Sequence, residues 1–420
     1  MYKIAASSQA FGYGPSSKVV TFIKNLNIAK PNEYEVDFYG TDISLTYAKQ
    51  NSEHFNQVFD FLQPKNNDYD IVISAMEPSL IFWAVLNHKK SIYIDSLYWF
   101  WKWDDDKFTE LQQIASKIRE ADTIENVNQI IRDVDPHSMQ YLAHLLASKS
   151  LVQIFPGTVE SSAKDKYRSN LKIHRIGYLI DTSLKREGLE RTKILISLSG
   201  LLSPLNRIVD AIQYYDFVMD LISETIDRLP KEIDVHLTVN PTILKRISKR
   251  SDRIKIDSLD HDLFMELLNE SLVTVAPAGI TTILESLTYD TPIMFIPEQH
   301  DGHYENYQRL CTDNAEGKAK DIFPELLFNT RISRVVDGDP DGELQKIQLL
   351  IEESRKNPNS EIVKSMKFTF QQSILTMLDK NTRNTILELQ KKTIMNEGRI
   401  LSPSRTSEIV LETINAGGKI

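Results

Sequence analysis

The sequence predicts an α/β protein built from two tandem doubly wound domains. Three observations carry this. Short apolar stretches alternate with longer amphipathic ones as far as about residue 300. Several of the short stretches are apolar at consecutive positions, such as Ile71-Val72-Ile73 and Ile194-Leu195-Ile196, as expected for parallel strands covered on both faces. The length of 420 residues suits two or three domains rather than one.

The elements follow in order. Residues 3–7 read as a first strand, and Gln9-Ala10-Phe11-Gly12-Tyr13-Gly14-Pro15 as its loop. Val19, Val20, Phe22, Ile23 and Leu26 then have helical spacing. Residues 34–39 are a second strand, 55–62 a helix, 70–74 a third strand, 80–87 a helix and 91–95 a fourth strand. The stretch 103–150 is polar and helical, an insert before the strands at 151–155 and 171–176. This makes a first domain of 1–180.

Residues 177–190 read as linker. A second domain, 181–340, has strands at 193–198, 235–239, 253–256, 272–276 and 293–296. From 341 to 420 the pattern is helical. That segment is expected to pack on both domains.

Composition bounds the function. Hydrophobic residues make up 41%, enough to bury large cores, so disorder is excluded as the main state. The net charge of −9 and the lack of a basic stripe disfavour a nucleic acid polymer as partner. Cys311 stands alone, which excludes a disulfide within the chain and any cysteine-cluster metal site. The opening Ile4-Ala5-Ala6 is too short for the apolar core of a signal peptide. No apolar run approaches the roughly 20 residues that span a bilayer. A soluble, cytoplasmic protein is expected, with peripheral membrane contact at most. The sequence leaves its oligomeric state open.

In open α/β sheets, ligands bind beyond the carboxyl ends of the strands. Two sheets in tandem are expected to make a cleft there. The most informative loop lies in Val275-Ala276-Pro277-Ala278-Gly279-Ile280-Thr281-Thr282-Ile283-Leu284-Glu285. Its small residues allow a close approach to the backbone. Thr281 and Thr282 then open a helix whose free N–H groups suit an anion. Glu285, one turn on, suits the hydroxyls of a ribose. The plainer reading makes Gly279 a turn, the threonines a cap and Glu285 a carboxylate favoured by the helix dipole. The next loop, Glu298-Gln299-His300-Asp301-Gly302-His303-Tyr304-Glu305-Asn306, is a dense polar cluster after a buried strand. Such side chains suit several hydroxyls at once, as a sugar presents.

Together, Leu272 to Asn306 resembles the donor-site signature of UDP-sugar-dependent glycosyltransferases of the GT-B fold. These include the UDP-glycosyltransferases and the peptidoglycan N-acetylglucosaminyltransferase. The resemblance rests on Ala278-Gly279, Thr282, Glu285, Asp290-Thr291-Pro292, Pro297, Gln299-His300 and Asn306. It implies two Rossmann-like domains. Gly279, Thr281 and Thr282 would hold a diphosphate and Glu285 the uridine ribose. Gln299, His300 and His303 would lie near the sugar. Ser199 and Gly200 resemble the donor loop after the domain's first strand, and the backbone near Leu259 the turn that meets uracil. The chain departs from the pattern at Pro277, where many members have His, and at Gly302-His303, where many have Asp-Gln.

The first loop resembles the Gly-x-Gly-His loop of the same enzymes, with Gly12, Tyr13 and Gly14 as acceptor-side residues. The position of the general-base His is Pro15, which accepts no proton. Asp95, at a strand's carboxyl end, is the first candidate for the base. Its plainer role is to cap the following turn. Glu77 and His137 are weaker candidates. Tyr98-Trp99-Phe100-Trp101-Lys102-Trp103 holds three of the four tryptophans. Trp99 and Trp101 are either ordinary packing or a platform for a planar acceptor, such as a nucleobase.

The expected activity is therefore an inverting transfer of a sugar from a UDP-sugar to a small-molecule acceptor. No metal ion and no cofactor beyond the co-substrate is expected. No Asp-x-Asp stands in a cleft loop: Asp104-Asp105-Asp106 and Asp337-Gly338-Asp339 read as solvated charge. Two alternatives stay open: a hydrolysing UDP-sugar 2-epimerase, and a non-catalytic subunit that keeps the donor fold.

Overall fold

The computed structural model describes residues 1–98, 105–156, 173–202, 207–248, 250–312, 328, 340–395 and 398–416. Trp99 and Trp101 lie outside the described residues, as do the other members of that aromatic run except Tyr98. The side chain of Cys311 is outside them too. Two compact units divide the chain: residues 1–181 with 397–420, and residues 182–396.

The first unit carries a parallel sheet of seven strands. In chain order they are β1 (Tyr2–Ser8), β2 (Tyr34–Tyr39), β3 (Gln57–Phe59), β4 (Ile71–Ala75), β5 (Lys90–Asp95), β6 (Lys149–Gln153) and β7 (Ile173–Ile176). Their order in the sheet is β3-β2-β1-β4-β5-β6-β7. Between them run α1 (Gly14–Ala29), α2 (Asp42–Gln50), α3 (Pro78–Leu86), α4 (Asp105–Arg119), α5 (Ile124–Ile130) and α6 (Pro136–Leu146). Ile4, Ile71, Ile73, Ile92 and Ile94 pack with α1 on one face of the sheet, and Val72, Tyr93 and Val152 with α3 and α6 on the other. This is the two-faced burial that the consecutive apolar positions require.

One expected element is corrected. Residues 55–62 are not a helix. Gln57–Phe59 form the edge strand β3, paired with β2 through Phe38↔Val58. The spacing of Phe55, Val58, Phe59 and Leu62 fits a helical face, but aromatic and β-branched residues in a short run serve a strand equally well. The helix of this crossover is α2, opened by Thr41 and Ser44.

The second unit's sheet has order β10-β9-β8-β11-β12. Its strands are β8 (Lys193–Leu198), β9 (Asp234–Val239), β10 (Ile254–Asp257), β11 (Ser271–Ala276) and β12 (Ile293–Phe295). Its helices are α7 (Ile208–Asp227), α8 (Pro241–Leu244), α9 (His261–Glu270), α10 (Ile280–Thr288), α11 (Asp301–Thr312), α12 (Pro340–Lys356), α13 (Glu361–Leu378) and α14 (Lys380–Ile394).

The C-terminal helices divide between the units. α12 and α13 pack on α7, and α14 fastens to β12, where the buried Gln390 amide brackets Ile293 with bonds of 2.8 and 2.9 Å. The last helix, α15 (Pro403–Asn415), belongs to the first unit and lies on α1. There Tyr178 N donates to the Arg399 carbonyl and Leu401 N to the Tyr178 carbonyl, which stitches the chain's departure to its return. Gly177 is obligatory at this seam, since a Cβ would fall 1.6 Å from the Arg399 carbonyl oxygen.

Candidate functional site

Each sheet has one place where the strand order turns back: between β8 and β11 in the second unit, and between β1 and β4 in the first. In the second unit the loops there are Ser199–Leu202 and Pro277–Gly279. β11 is wholly buried, and it hands over at Gly279 to the N-terminus of α10. Helices α3, α5, α6, α8, α9, α13, α14 and α15 each begin with a side chain that accepts a first-turn N–H. α10 has no such cap and no acidic residue in its first turn. Its donors are open, next to the half-exposed Thr281 and Thr282. Gly279 has φ −82°, which any residue adopts. A Cβ there would meet only ordinary contacts, at 3.9 Å from His303 Nε2 and 4.0 Å from the Pro277 carbonyl oxygen. Unlike Gly177, it is not a glycine that the fold needs.

Neighbouring loops are fastened around this turn. The Gln299 amide donates to the Leu201 carbonyl (2.6 Å), and Tyr214 Oη donates to the Pro297 carbonyl. Asn306 Nδ2 donates to the Ala278 carbonyl (2.6 Å). His300 and His303 stack with ring centroids 3.7 Å apart. Ser199 is half-exposed and donates to Thr238 Oγ1 at 3.0 Å, Gly200 is exposed, and Leu259 is half-exposed just beyond β10. The structure thus brings Ser199, Gly200, Gly279, Thr281, Thr282, His300 and His303 to one switch point. Glu285 sits in α10 only 4% exposed. Gln299 is corrected. It is 4% exposed and its amide nitrogen is bonded to Leu201, so it clamps the loop after β8 rather than standing open to a sugar.

The first unit's switch point differs. Gly12 takes φ +61°, a left-handed turn that suits glycine. Gly14 is the first residue of α1 and Pro15 follows it, which removes one N–H from that helix end. Tyr13 leans its ring on Tyr47 (5.1 Å) at the margin of the core, the ordinary role of a turn tyrosine.

Asp95 is also corrected as a residue that meets the acceptor. It is fully enclosed, with Oδ1 accepting from Leu97 N (2.6 Å) and Oδ2 paired with His144 Nε2 (2.8 Å). The rings of Tyr93 and Tyr98 press their edges on His144. Tyr93 Oη donates to Gln140, whose amide donates to the Met76 carbonyl (3.3 Å). This network underlies Met76, a residue held at φ +57°. The next residue, Glu77, is a half-buried carboxylate. Its Oε1 accepts from Ser79 N and Oγ at 2.9 and 2.5 Å. Its Oε2 meets no donor among the described residues. Burial pushes its carboxyl above the ordinary range, against the lowering pull of Ser79. His137 is in the first turn of α6, behind the cap Asp135.

Sequence reasoning missed His144. Its signal was a histidine on the apolar face of an amphipathic helix, where a buried imidazole needs a partner. Among the described residues, no three His, Cys, Asp or Glu side chains gather as metal ligands, and no helix is long and apolar enough to cross a membrane.

No protein-family model matches the chain, and no curated protein matches it by sequence. Solved structures do match along the whole length. One is a proposed UDP-N-acetylglucosamine 2-epimerase from Listeria monocytogenes, at 12% identity and TM-score 0.55, covering 100% of this chain and 98% of that one. A second is the spinosyn rhamnosyltransferase SpnG complexed with thymidine diphosphate, at 10% identity and TM-score 0.53, covering 98% and 100%. The kitacinnamycin glycosyltransferase matches at 11% and 0.51, covering 98% of each. The chain has the GT-B fold. At these identities the likeness speaks for the fold alone. Within this GT-B chain, the candidate residues stand on the geometry given above.

Proposed function

We propose that the chain is an inverting, metal-independent glycosyltransferase that passes a sugar from a UDP-sugar to a small-molecule acceptor. The observation that carries this reading is the start of α10: uncapped, flanked by two half-exposed hydroxyls, and entered through a glycine the fold does not require. An anionic diphosphate there accepts from the helix amides and from Thr281 and Thr282. Glu285 takes the ribose and the backbone at Leu259 the base. With donors already oriented, charge developing on the departing diphosphate needs no divalent ion. Two of the structural neighbours are a glycosyltransferase of kitacinnamycin and a spinosyn rhamnosyltransferase, and a small-molecule acceptor of the kind those names print is part of the reading.

In the step proposed, an acceptor oxygen or nitrogen bonds to the anomeric carbon from the face opposite the diphosphate. The bond from that carbon to the phosphate oxygen breaks, and UDP leaves with the electron pair. The acceptor's proton passes to Glu77 Oε2, a base whose raised pKa suits the task. Asp95 and His144 hold the turn that presents it.

The test is incubation with a panel of UDP- and TDP-sugars, with and without pools of hydroxylated and planar acceptors. Release of the nucleoside diphosphate only when acceptor is present is expected. Conversion of the donor sugar without acceptor would make the chain an epimerase. Absence of any nucleotide binding would leave the non-catalytic reading.

A further inference from the structure

A cleft of about 380 Å³ opens at the edge of the first unit's sheet, lined by residues of β6, β7 and α15. That volume falls in the range of small-molecule sites. It lies beyond β5, away from the switch point between β1 and β4. Among the described residues that line it, four are basic, Lys149, His174, Arg175 and Arg405, and none is acidic. Its apolar lining includes the buried Ile176 and Leu401. Two of the cations converge on one carboxylate beside the cleft. Lys149 Nζ lies 2.8 Å from Glu412 Oε2, and Arg405 Nη1 lies 3.0 Å from Glu412 Oε1. Arg405 also meets Glu408 at 2.9 Å. The Lys149 side chain is 13% exposed, whereas that of Glu412 is 49% exposed. Solvent screens such a pair, and holding it costs side-chain freedom, so it contributes little. Glu412 can yield its place to an anion from solution at small cost. Lys149, Arg175 and Arg405 carry three positive charges against the two negative charges of Glu408 and Glu412. The cleft is thus locally positive in a chain of net charge −9.

We propose that this cleft binds a small organic anion, a phosphate or carboxylate group on an apolar body, with Lys149 and Arg405 taking the charge in place of Glu412. The apolar lining takes the body. The site is separate from the transferase reading and does not rest on it. Burial, and then the Lys149 charge, hold the His174 imidazolium below its ordinary range, with Glu412 pulling the other way. An anion seated on Lys149 and Arg405 would mask their charges and raise that pKa, which gives the site a signal of its own.

Calorimetry on the full chain tests this with phenyl phosphate, inorganic phosphate and benzyl alcohol as probes, which carry the charge with the ring, the charge alone and the ring alone. Phenyl phosphate is expected to bind more tightly than either of the others. Arg405→Ala should weaken it about tenfold or more, the worth of one charge-assisted hydrogen bond. Glu412→Gln should tighten it severalfold, a gain that a damaged fold would not produce. Bound phenyl phosphate should also move the titration of the His174 imidazole, followed by NMR, to higher pH. Absence of phenyl phosphate binding overturns the proposal. So does a Glu412→Gln variant that binds no more tightly than the unaltered chain. Loss of phenyl phosphate binding in Gly279→Val would place the anion at α10 and overturn it as well.

Discussion

At the second unit's switch point the loops after β8 and β11 present donors: open amides and two threonine hydroxyls. At the first unit's, the loop after β1 leads into a helix with a proline in its first turn, and the loop after β4 carries the carboxylate Glu77. α1 is uncapped like α10, but Pro15 removes an amide from its first turn, and Lys18 is buried with Nζ on the Leu179 carbonyl. Carboxylates replace the donors, with Asp95 paired to His144 inside and Glu77 half-buried above. On the proposed function, the same topology serves an anion in one unit and a proton in the other. A net charge of −9 does not prevent the first of these, because backbone dipoles at one helix end attract an anion locally.

Breaking the contrast on the first unit's side gives the largest expected effect. Glu77→Gln keeps an oxygen for Ser79 but takes up no proton. Turnover should fall about 10²–10⁴-fold, measured with whichever acceptor the panel yields. Because the folded state raises this carboxyl's pKa, the charged form destabilises the fold at neutral pH. The variant's Tm should therefore hold or rise. For the unaltered enzyme, kcat/KM should drop as the pH falls through that raised pKa, above the ordinary carboxylate range. A pH profile flat down to the ordinary carboxylate range would remove Glu77 as the base.

Next comes the buried pair. His144→Ala strands Asp95 without its partner and should cost about 3–5 kcal/mol in denaturant unfolding. UDP affinity of the folded protein should not change. An unaltered unfolding midpoint with lost turnover would instead make the pair catalytic. The smallest effect is on the donor side. Glu285→Ala should weaken UDP by about 1.5–3 kcal/mol and spare nucleoside-free probes such as pyrophosphate, which have no ribose to lose. Equal loss for pyrophosphate would show that the change had disturbed α10 itself.

Much of this was legible in the sequence for physical reasons. Consecutive apolar residues ended by Gly, Pro or Asp mark buried parallel strands, and their carboxyl ends locate the loops. The Pro277–Thr282 turn could be read as a helix start because small residues and hydroxyls gather there after a buried strand. Misreadings came where one pattern serves two structures. Phe55, Val58, Phe59 and Leu62 suit a helix and an edge strand alike. The roles of Asp95 and Gln299 were hidden because their partners lie far along the chain. His144 is 49 positions from Asp95, inside the helical insert, and Leu201 is 98 from Gln299. A helical tail shows its apolar face but not what it covers, so the division of α14 from α15 needed the structure.

Gly279→Val tests the central claim most directly. The backbone there accepts any residue, so the Tm should stay within about 2 °C, a shift that stands for about 0.5–1 kcal/mol. The added side chain would stand where the diphosphate meets the α10 amides. Calorimetry should show UDP affinity down by about a hundredfold or more, the worth of two charge-assisted hydrogen bonds. A variant that keeps its Tm and still binds UDP at full strength would contradict the account.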